Sequence, residues 1–330
     1  MNIYSDYISK IKNAMTEGVS LEDLILENRN QELSKAMKIG SLPALEKSKK
    51  PLPSLDNLAR VVGVTPNYDQ ELGLHPDFEH LKETENIEKH YIISLFIDIK
   101  GSTNLFRKYS PETVFVITNT IQRAAIHTCL IFGGYVQRLQ GDGLFVYYGG
   151  KSDVAADATK RALTATAAFT YFVQNDLKNL FLEQGVEKIY THIGIDYGES
   201  QDVVWAKAGL GQISEVTTCS LHTSLASKML NSAQSNGIVV GDNIINMVDA
   251  EYFTVVSKRT NQEKDRYIFQ DNQRNFYYTQ YDFNWMKYLR SLDYIATDID
   301  GGIHLKMMDV PRHIPDLVPI AGQSKPYFSK

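Results

Sequence analysis

The sequence is poor in the residues that hold small secreted or fibrous proteins together. Among 330 residues there are two cysteines, Cys129 and Cys219. Two exclude a disulfide framework, and their spacing is not that of a zinc site. Glycine (21) and proline (10) are too sparse for a collagen-like or low-complexity chain. Positive charge is not in excess: 34 Lys and Arg stand against 39 Asp and Glu, a net charge of −5. The electrostatic footprint of a nucleic-acid binder is therefore missing. The richest apolar stretch, residues 114–136, is broken by Asn119, Gln122, Arg123 and His127, and falls short of the roughly 18 apolar residues of a membrane helix. The opening residues, MNIYSDYISKIKNAM, contain Asp6 and no apolar core of a secretory signal. These absences set the expectation of a soluble, cytoplasmic protein with neither nucleic acid nor membrane as partner.

What is present suits a globular chain, with 43% hydrophobic and 22% charged residues. The length predicts about two units, or one domain with extensions. Three parts are expected. Residues 1–87 form a polar arm. In it Ser20-Leu21-Glu22-Asp23 reads as a helix N-cap, residues 47–53 as a loop carrying Pro51 and Pro53, and His75-Pro76-Asp77-Phe78-Glu79-His80 as a proline-led turn rather than a metal cluster. Residues 88–271 alternate strands and helices. Strands are expected at 91–98, 135–139, 144–148, 189–197, 237–240 and 267–269, the last of them. Helices are expected at 112–131, from Ser152-Asp153 to about Leu182, and at 217–234. The order β-α-β-β-α-β predicts an α+β fold, a ferredoxin-like layer of helices on an antiparallel sheet. Residues 272–330 are rich in aromatics, expected to pack on the core or a second subunit, with a short helix at 286–292 and an extended tail from Pro311.

Chemistry concentrates in the central part. In Phe96-Ile97-Asp98-Ile99-Lys100-Gly101-Ser102-Thr103 an aspartate ends an apolar strand, and a small turn opens the next helix. Backbone N–H groups at such a turn suit phosphate oxygens, and a neighbouring carboxylate suits Mg²⁺ held jointly with those phosphates. Arg138-Leu139-Gln140-Gly141-Asp142-Gly143 places a second aspartate at a glycine-flanked hairpin tip. In a ferredoxin-like sheet the two segments are neighbours. Asp98 and Asp142 then face each other, and two facing carboxylates call for divalent cations, Mn²⁺ or Mg²⁺, about 3.5–4 Å apart. Each aspartate alone is explained by helix capping or turn chemistry. The two together are not.

On these motifs residues 88–271 resemble the catalytic domain of the class III nucleotidyl cyclases. Asp98 and Asp142 look like that family's two metal aspartates. The stretch His192-Ile193-Gly194-Ile195 is similar to its Arg-x-Gly-Ile strand, and residues 223–229 to its Asn-x-Ala-x-Arg helix. The resemblance implies a homodimer with active sites at the interface and a metal ligand in the Ile99 backbone carbonyl. It further implies phosphate binding by Gly101, Ser102, Thr103 and His192, base reading by Arg138 and Thr217, and transition-state stabilisation by Ser224 and Lys228. Arginine at 138, where adenylate cyclases carry lysine, presents a fixed fork of donors suited to a base carbonyl. Residues 217–229, Lys207-Ala208-Gly209-Leu210 and His75-Pro76-Asp77-Phe78 resemble, more narrowly, the bacterial pyrimidine cyclases of the Pycsar antiphage systems. The implied reaction is conversion of UTP or CTP to the 3′,5′-cyclic monophosphate and diphosphate, the product acting on a separately encoded effector.

Three rivals remain open at this level. An ordinary adenylate cyclase differs only in base selectivity. A diguanylate cyclase requires a glutamate where Gly143 stands. A degenerate nucleotide-binding module has no need of a repulsive aspartate pair. Elsewhere, Trp205 and His127 are expected in the core, His222 on a helix surface or at an interface, and Lys258, Arg259 and Lys264 in solvent.

Overall fold

The computed structural model describes residues 53–306 except Gln184, together with Tyr4 and Ile8. The cap at Ser20, the basic run before Pro51 and the tail from Pro311 lie outside the described residues. Helix α1 spans Pro53–Val62. Pro53 thus opens a helix instead of extending the expected loop, because a missing N–H costs nothing at a first helical position. A short strand β1 (Ile87–Lys89) precedes the apolar strand β2 (Ile92–Ile99). Helix α2 (Pro111–Ile131) starts with Pro111 after Ser110, whose hydroxyl accepts from the N–H of Thr113 at 3.3 Å. Strands β3 (Tyr135–Gln140) and β4 (Gly143–Tyr148) form the expected hairpin. Helix α3 (Ala155–Phe172) passes through a π turn at Val173–Leu177 into α4 (Lys178–Glu183). Its N-cap is Val154 rather than Ser152-Asp153. The Asp153 carboxylate instead accepts from Arg161 at 2.8 Å, and its carbonyl from the Tyr91 hydroxyl at 2.7 Å.

Strand β5 (Thr191–Gly198) leads into a long hairpin, β6 (Val203–Leu210) and β7 (Ile213–Ser220), which the sequence reading did not anticipate. Helix α5 (Leu221–Ser232) therefore begins four residues later than expected. Strand β8 (Gly237–Gly241), helix α6 (Asp242–Ile245), strand β9 (Phe253–Val255), helix α7 (Val256–Thr260) and strand β10 (Tyr267–Asp271) follow. Strand β10 is not the last. Strand β11 (Phe276–Phe283), helix α8 (Trp285–Ser291) and the small hairpin β12 (Ile295–Thr297) and β13 (Ile303–Leu305) come after it.

The main sheet runs β10-β11-β8-β5-β2-β4-β3, with β9 also pairing β11. Its segment β5-β2-β4-β3 is antiparallel throughout, the ferredoxin-like order. The sheet continues through β11, so the aromatic-rich segment after residue 271 is built into it. Tyr278, Phe283, Trp285 and Tyr288 are buried there, which accounts for those aromatics by packing.

Strand β2 is covered on both faces, so its sequence reads as a continuous apolar run. Ile93, Leu95, Ile97 and Ile99 join the core beneath α2 and α3. Ile92 and Phe96 face the opposite core, with Phe145, Tyr147, Trp205 and Phe78. Trp205 stacks on Phe78 at 3.9 Å, a core residue as expected. Helix α2 is long and apolar enough to cross a membrane by length and composition alone. Ile117, Ile121, Ala124 and Ala125 on its buried face account for that character.

Strand β5 and helix α5 approach each other closely at Gly194. A Cβ on Gly194 would sit 2.1 Å from the Ala226 carbonyl oxygen and 2.7 Å from the Leu230 nitrogen. Neither backbone can yield without lifting the helix. Gly194→Ala is expected to destabilise the fold by about 1–3 kcal/mol, as overpacking does. Urea unfolding of the variant against the native chain measures it.

Candidate active site

Alternation along β2 puts Asp98 on the same face as Ser94 and Phe96. The register Ile97↔Leu144 brings the strand end against the β3–β4 turn. A Cβ on Gly143 would lie 2.8 Å from the Ile97 carbonyl oxygen and 2.9 Å from Asp98 Oδ1. Glycine is therefore required for the two motifs to meet, and the glutamate of a diguanylate cyclase motif has no room here. Gly141 holds a positive φ of 60° at the tip.

Asp142 is half-buried between these glycines, and its Oδ2 is sealed from solvent without a hydrogen-bond partner. Burial raises the pKa of its carboxyl and the charge of Asp98 adds to the rise, with Ser102 and the Ile99 backbone offsetting part of it. An orphaned oxygen beside a second carboxylate is the chemistry of a site for divalent cations. Among the described residues no group of three or more His, Cys, Asp or Glu converges as a metal centre. The two carboxylates fit a divalent cation.

The adjoining turn departs from expectation in one respect. Gly101 is left-handed (φ 72°) and leads into a six-residue 3-10 segment, Ser102–Arg107, while α2 starts only at Pro111. No long helix dipole stands directly behind Gly101, Ser102 and Thr103, so phosphate binding there would rest on the local N–H groups.

His192 lies opposite Asp98 in the β2–β5 register. Its Nε2 donates to Asp98 Oδ2 at 3.1 Å, and its Nδ1 is buried without a partner. It is thus engaged with the carboxylate and 8% exposed, not free beside a phosphate.

Arg138 stands on the edge strand β3, two strands from Asp98. Its Nε donates to Glu215 Oε2 on β7 at 3.1 Å, and a second nitrogen meets the other oxygen. This bidentate pair lines a cavity of about 300 Å³ with Gln137, Leu74 and Lys82. Thr217 belongs to β7, not to a helix, and sits 3.3 Å from the Tyr147 hydroxyl. Ser224 and Lys228 share the exposed face of α5, opposite the buried His222, Leu225, Ala226 and Met229.

Three expectations are corrected. His222 is buried, not on the surface: its Nδ1 donates to Asp196 Oδ2 at 2.9 Å. His127 is only half-buried. Arg259 is engaged, donating to Asp282 at 2.7 Å and to the Ser232 carbonyl at 2.8 Å. Sequence reading missed Glu215 and Asp196 altogether. Neither carries a local sequence signal: residues 213–220 do not alternate, and the burial of Asp196 is visible only in the structure.

No protein-family profile matches the chain. It is 34% identical over 295 residues to a cytidylate cyclase of Staphylococcus aureus, covering 88% of this chain and 64% of that protein. It is 31% identical over 250 residues to a cytidylate cyclase of Escherichia coli, covering 72% of this chain and 54% of that one. The chain thus spans less than two thirds of the length of either relative. Among solved structures it resembles the adenylyl cyclase CyaB of P. aeruginosa. The TM-score is 0.50 at 18% identity, over 60% of this chain and 95% of that one.

The aspartate pair yields a test that needs no turnover. A carboxyl with a raised folded-state pKa contributes stability fully present below its unfolded value, about 3.9, and lost as pH rises through the folded value. Without metal, Asp142→Asn is expected to gain in melting temperature over the native chain as pH rises from about 4 to about 7. Added Mn²⁺ should raise the melting temperature of the native chain and leave Asp98→Ala and Asp142→Asn unmoved. With the fold of the adenylyl cyclase CyaB, and with this pair at its strand ends, the chain is similar to the cytidylate cyclases over about half to two thirds of their length.

Proposed function

We propose that the protein is a pyrimidine nucleotide cyclase that converts CTP, or UTP, to the 3′,5′-cyclic monophosphate and diphosphate. The observation that carries this reading is the orphaned Asp142 oxygen beside Asp98, at the strand ends of a cyclase fold. The 3′-oxygen bonds to the α-phosphorus as the bridge to the β-phosphate breaks. The 3′-hydroxyl proton passes to solvent water, and the electron pair of the broken bond leaves on diphosphate. Divalent cations held by Asp98, Asp142 and the Ile99 carbonyl would lower the pKa of the hydroxyl and neutralise the triphosphate.

The chain's own residues do the rest. The N–H groups of Gly101, Ser102 and Thr103 hold the β- and γ-phosphates. His192 holds Asp98 in one orientation through its 3.1 Å bond. Ser224 and Lys228 lie exposed on α5. In this reading a second copy presents them to the pentavalent phosphorus, where the ammonium offsets the charge that develops. The enzyme is then a homodimer.

The Arg138–Glu215 pair supports a pyrimidine. Arginine donates to the 2-carbonyl oxygen. The Glu215 carboxylate accepts from the 4-amino group of cytosine and repels the 4-oxygen of uracil, which favours CTP. The names of the relatives favour the same base. Thr217 borders this edge. The product is read as a signal for a separately encoded effector in antiphage defence, on the resemblance to the Pycsar cyclases.

Incubating the chain with ATP, GTP, CTP and UTP separately, with Mn²⁺, and identifying products by mass spectrometry tests the reading. Cyclic CMP as main product is expected. Cyclic AMP would retain the metal chemistry and overturn the reading of Arg138. Asp98→Ala is expected to abolish the product, and full activity there would overturn the metal assignment. Glu215→Gln is expected to narrow the preference for CTP over UTP by about tenfold, since one charged contact to a base is worth about 1–3 kcal/mol.

A further inference from the structure

Helix α5 is fastened to the sheet along its whole length. At its C-terminus the Ser232 and Ala233 carbonyls accept from Arg259 and from Lys100, two cations at the negative end of the helix dipole. In the middle, Gly194 lets β5 approach the Ala226 backbone. At the N-terminus, His222 turns inward and is 6% exposed. Its Nδ1 donates to Asp196 Oδ2 at 2.9 Å, and the Tyr278 hydroxyl on β11 donates to Asp196 Oδ1 at 2.8 Å. The Tyr278 oxygen accepts in turn from the Asn243 N–H at 3.1 Å. Gly241 makes room for this cluster. A Cβ there would lie 2.3 Å from Asp196 Oδ1 and 2.6 Å from Tyr278 Cε1.

Helix formation does not account for His222. A cation in the first turn opposes the macrodipole. Stability accounts for it poorly too, since a buried ion pair rarely outdoes well-packed apolar side chains. What such a pair supplies is one relative position for the elements it joins, here β5, β11 and α5. The groups facing the imidazole are Asp196, Tyr278, the Asn243 side-chain amide, whose nitrogen lies 3.5 Å from Nε2, and more distantly Asp202 and Glu199. Burial pulls its pKa down, but the hydrogen bond and charge of Asp196, with Asp202 and Glu199, leave it above its ordinary value. Burial also raises Asp196. Both directions mean that the folded pair holds its protons more tightly than the unfolded chain. The contribution of His222 is complete below the ordinary imidazole range and is lost as pH rises through its raised value, whereas that of Asp196 is lost as pH rises through its own raised value.

We propose that His222 is a positioning residue which, through Asp196 and Tyr278, fixes the rotation and height of α5 and so the placement of Ser224 and Lys228 at the reacting phosphate. The role of those two residues rests on the functional reading above. The seating of α5 does not.

The test uses the full chain and three variants: His222→Ala, His222→Asn and Tyr278→Phe. Asparagine keeps a neutral donor near the position of Nδ1. Turnover of CTP with Mn²⁺ and hydrogen exchange of the α5 amides are measured for each. His222→Ala and Tyr278→Phe are expected to lower kcat about tenfold or more while KM stays within about threefold, and His222→Asn to recover most of the loss. The native chain is expected to lose kcat as pH rises past the imidazole range, and His222→Asn to lack that limb. The amides of residues 225–229 should exchange faster in His222→Ala. Should that variant fail to fold, Tyr278→Phe, which removes one hydroxyl, carries the test. Folded variants with native kcat and native exchange overturn the proposal. If the native chain turns over no nucleotide, the functional reading fails, and exchange still decides: native-like α5 protection in the variants overturns the anchor, and faster exchange supports it.

Discussion

Strand β2 is bonded on both sides, to β4 and to β5, and packed on both faces. A slip of one residue would drive Asp98 into the core beneath α2 and α3 and turn Ile97 outward. The register is therefore held by the burial of seven of its eight residues, each worth up to about 1.5–3 kcal/mol for a large apolar side chain. The site follows from that register. The Ile97↔Leu144 pairing sets Asp98 against Gly143, and the Asp98↔His192 pairing supplies the imidazole that orients the carboxylate.

The face of β2 that carries Asp98 is polar in places and yet closed. Ser94 shares a hydrogen bond with Thr223 at 2.8 Å, Thr223 another with Thr218 at 3.1 Å, and Thr218 another with Tyr147 at 2.8 Å. Hydroxyl groups that both donate and accept can run such a chain without leaving buried polar atoms unpaired. It joins β2, β4, β7 and α5 into one plate. Two of the buried polar atoms without a partner, Asp142 Oδ2 and His192 Nδ1, lie on the two sides of Asp98, while others, Trp205 Nε1 among them, lie elsewhere in the core.

The β-hairpin β6–β7 shows why part of this was illegible beforehand. Thr217-Thr218-Cys219-Ser220 precedes a helical pattern and reads as its start, whereas those residues extend β7 against β6. Their strand state depends on Val203 and Val204 opposite, not on neighbours in sequence. The same holds for β11. Its aromatics announce burial but not a place in the sheet, and that place makes Tyr278 a partner of Asp196. The β3–β4 turn was legible for the opposite reason. Gly141-Asp142-Gly143 specifies a hairpin through local φ preferences alone.

By itself, the sequence determined what contiguous residues can: strand β2 from its apolar run, helix α2 from its period, the hairpin from its glycines, and the two aspartates as candidates from their settings. Only the tertiary structure decided partners. Arg138 meets Glu215 across 77 positions, Tyr278 meets Asp196 across 82, and His192 meets Asp98 across 94. Local periodicity reports which way a side chain faces. Which side chain waits on the other side is set by sheet order and register, and these are settled only when the whole apolar surface is buried at once.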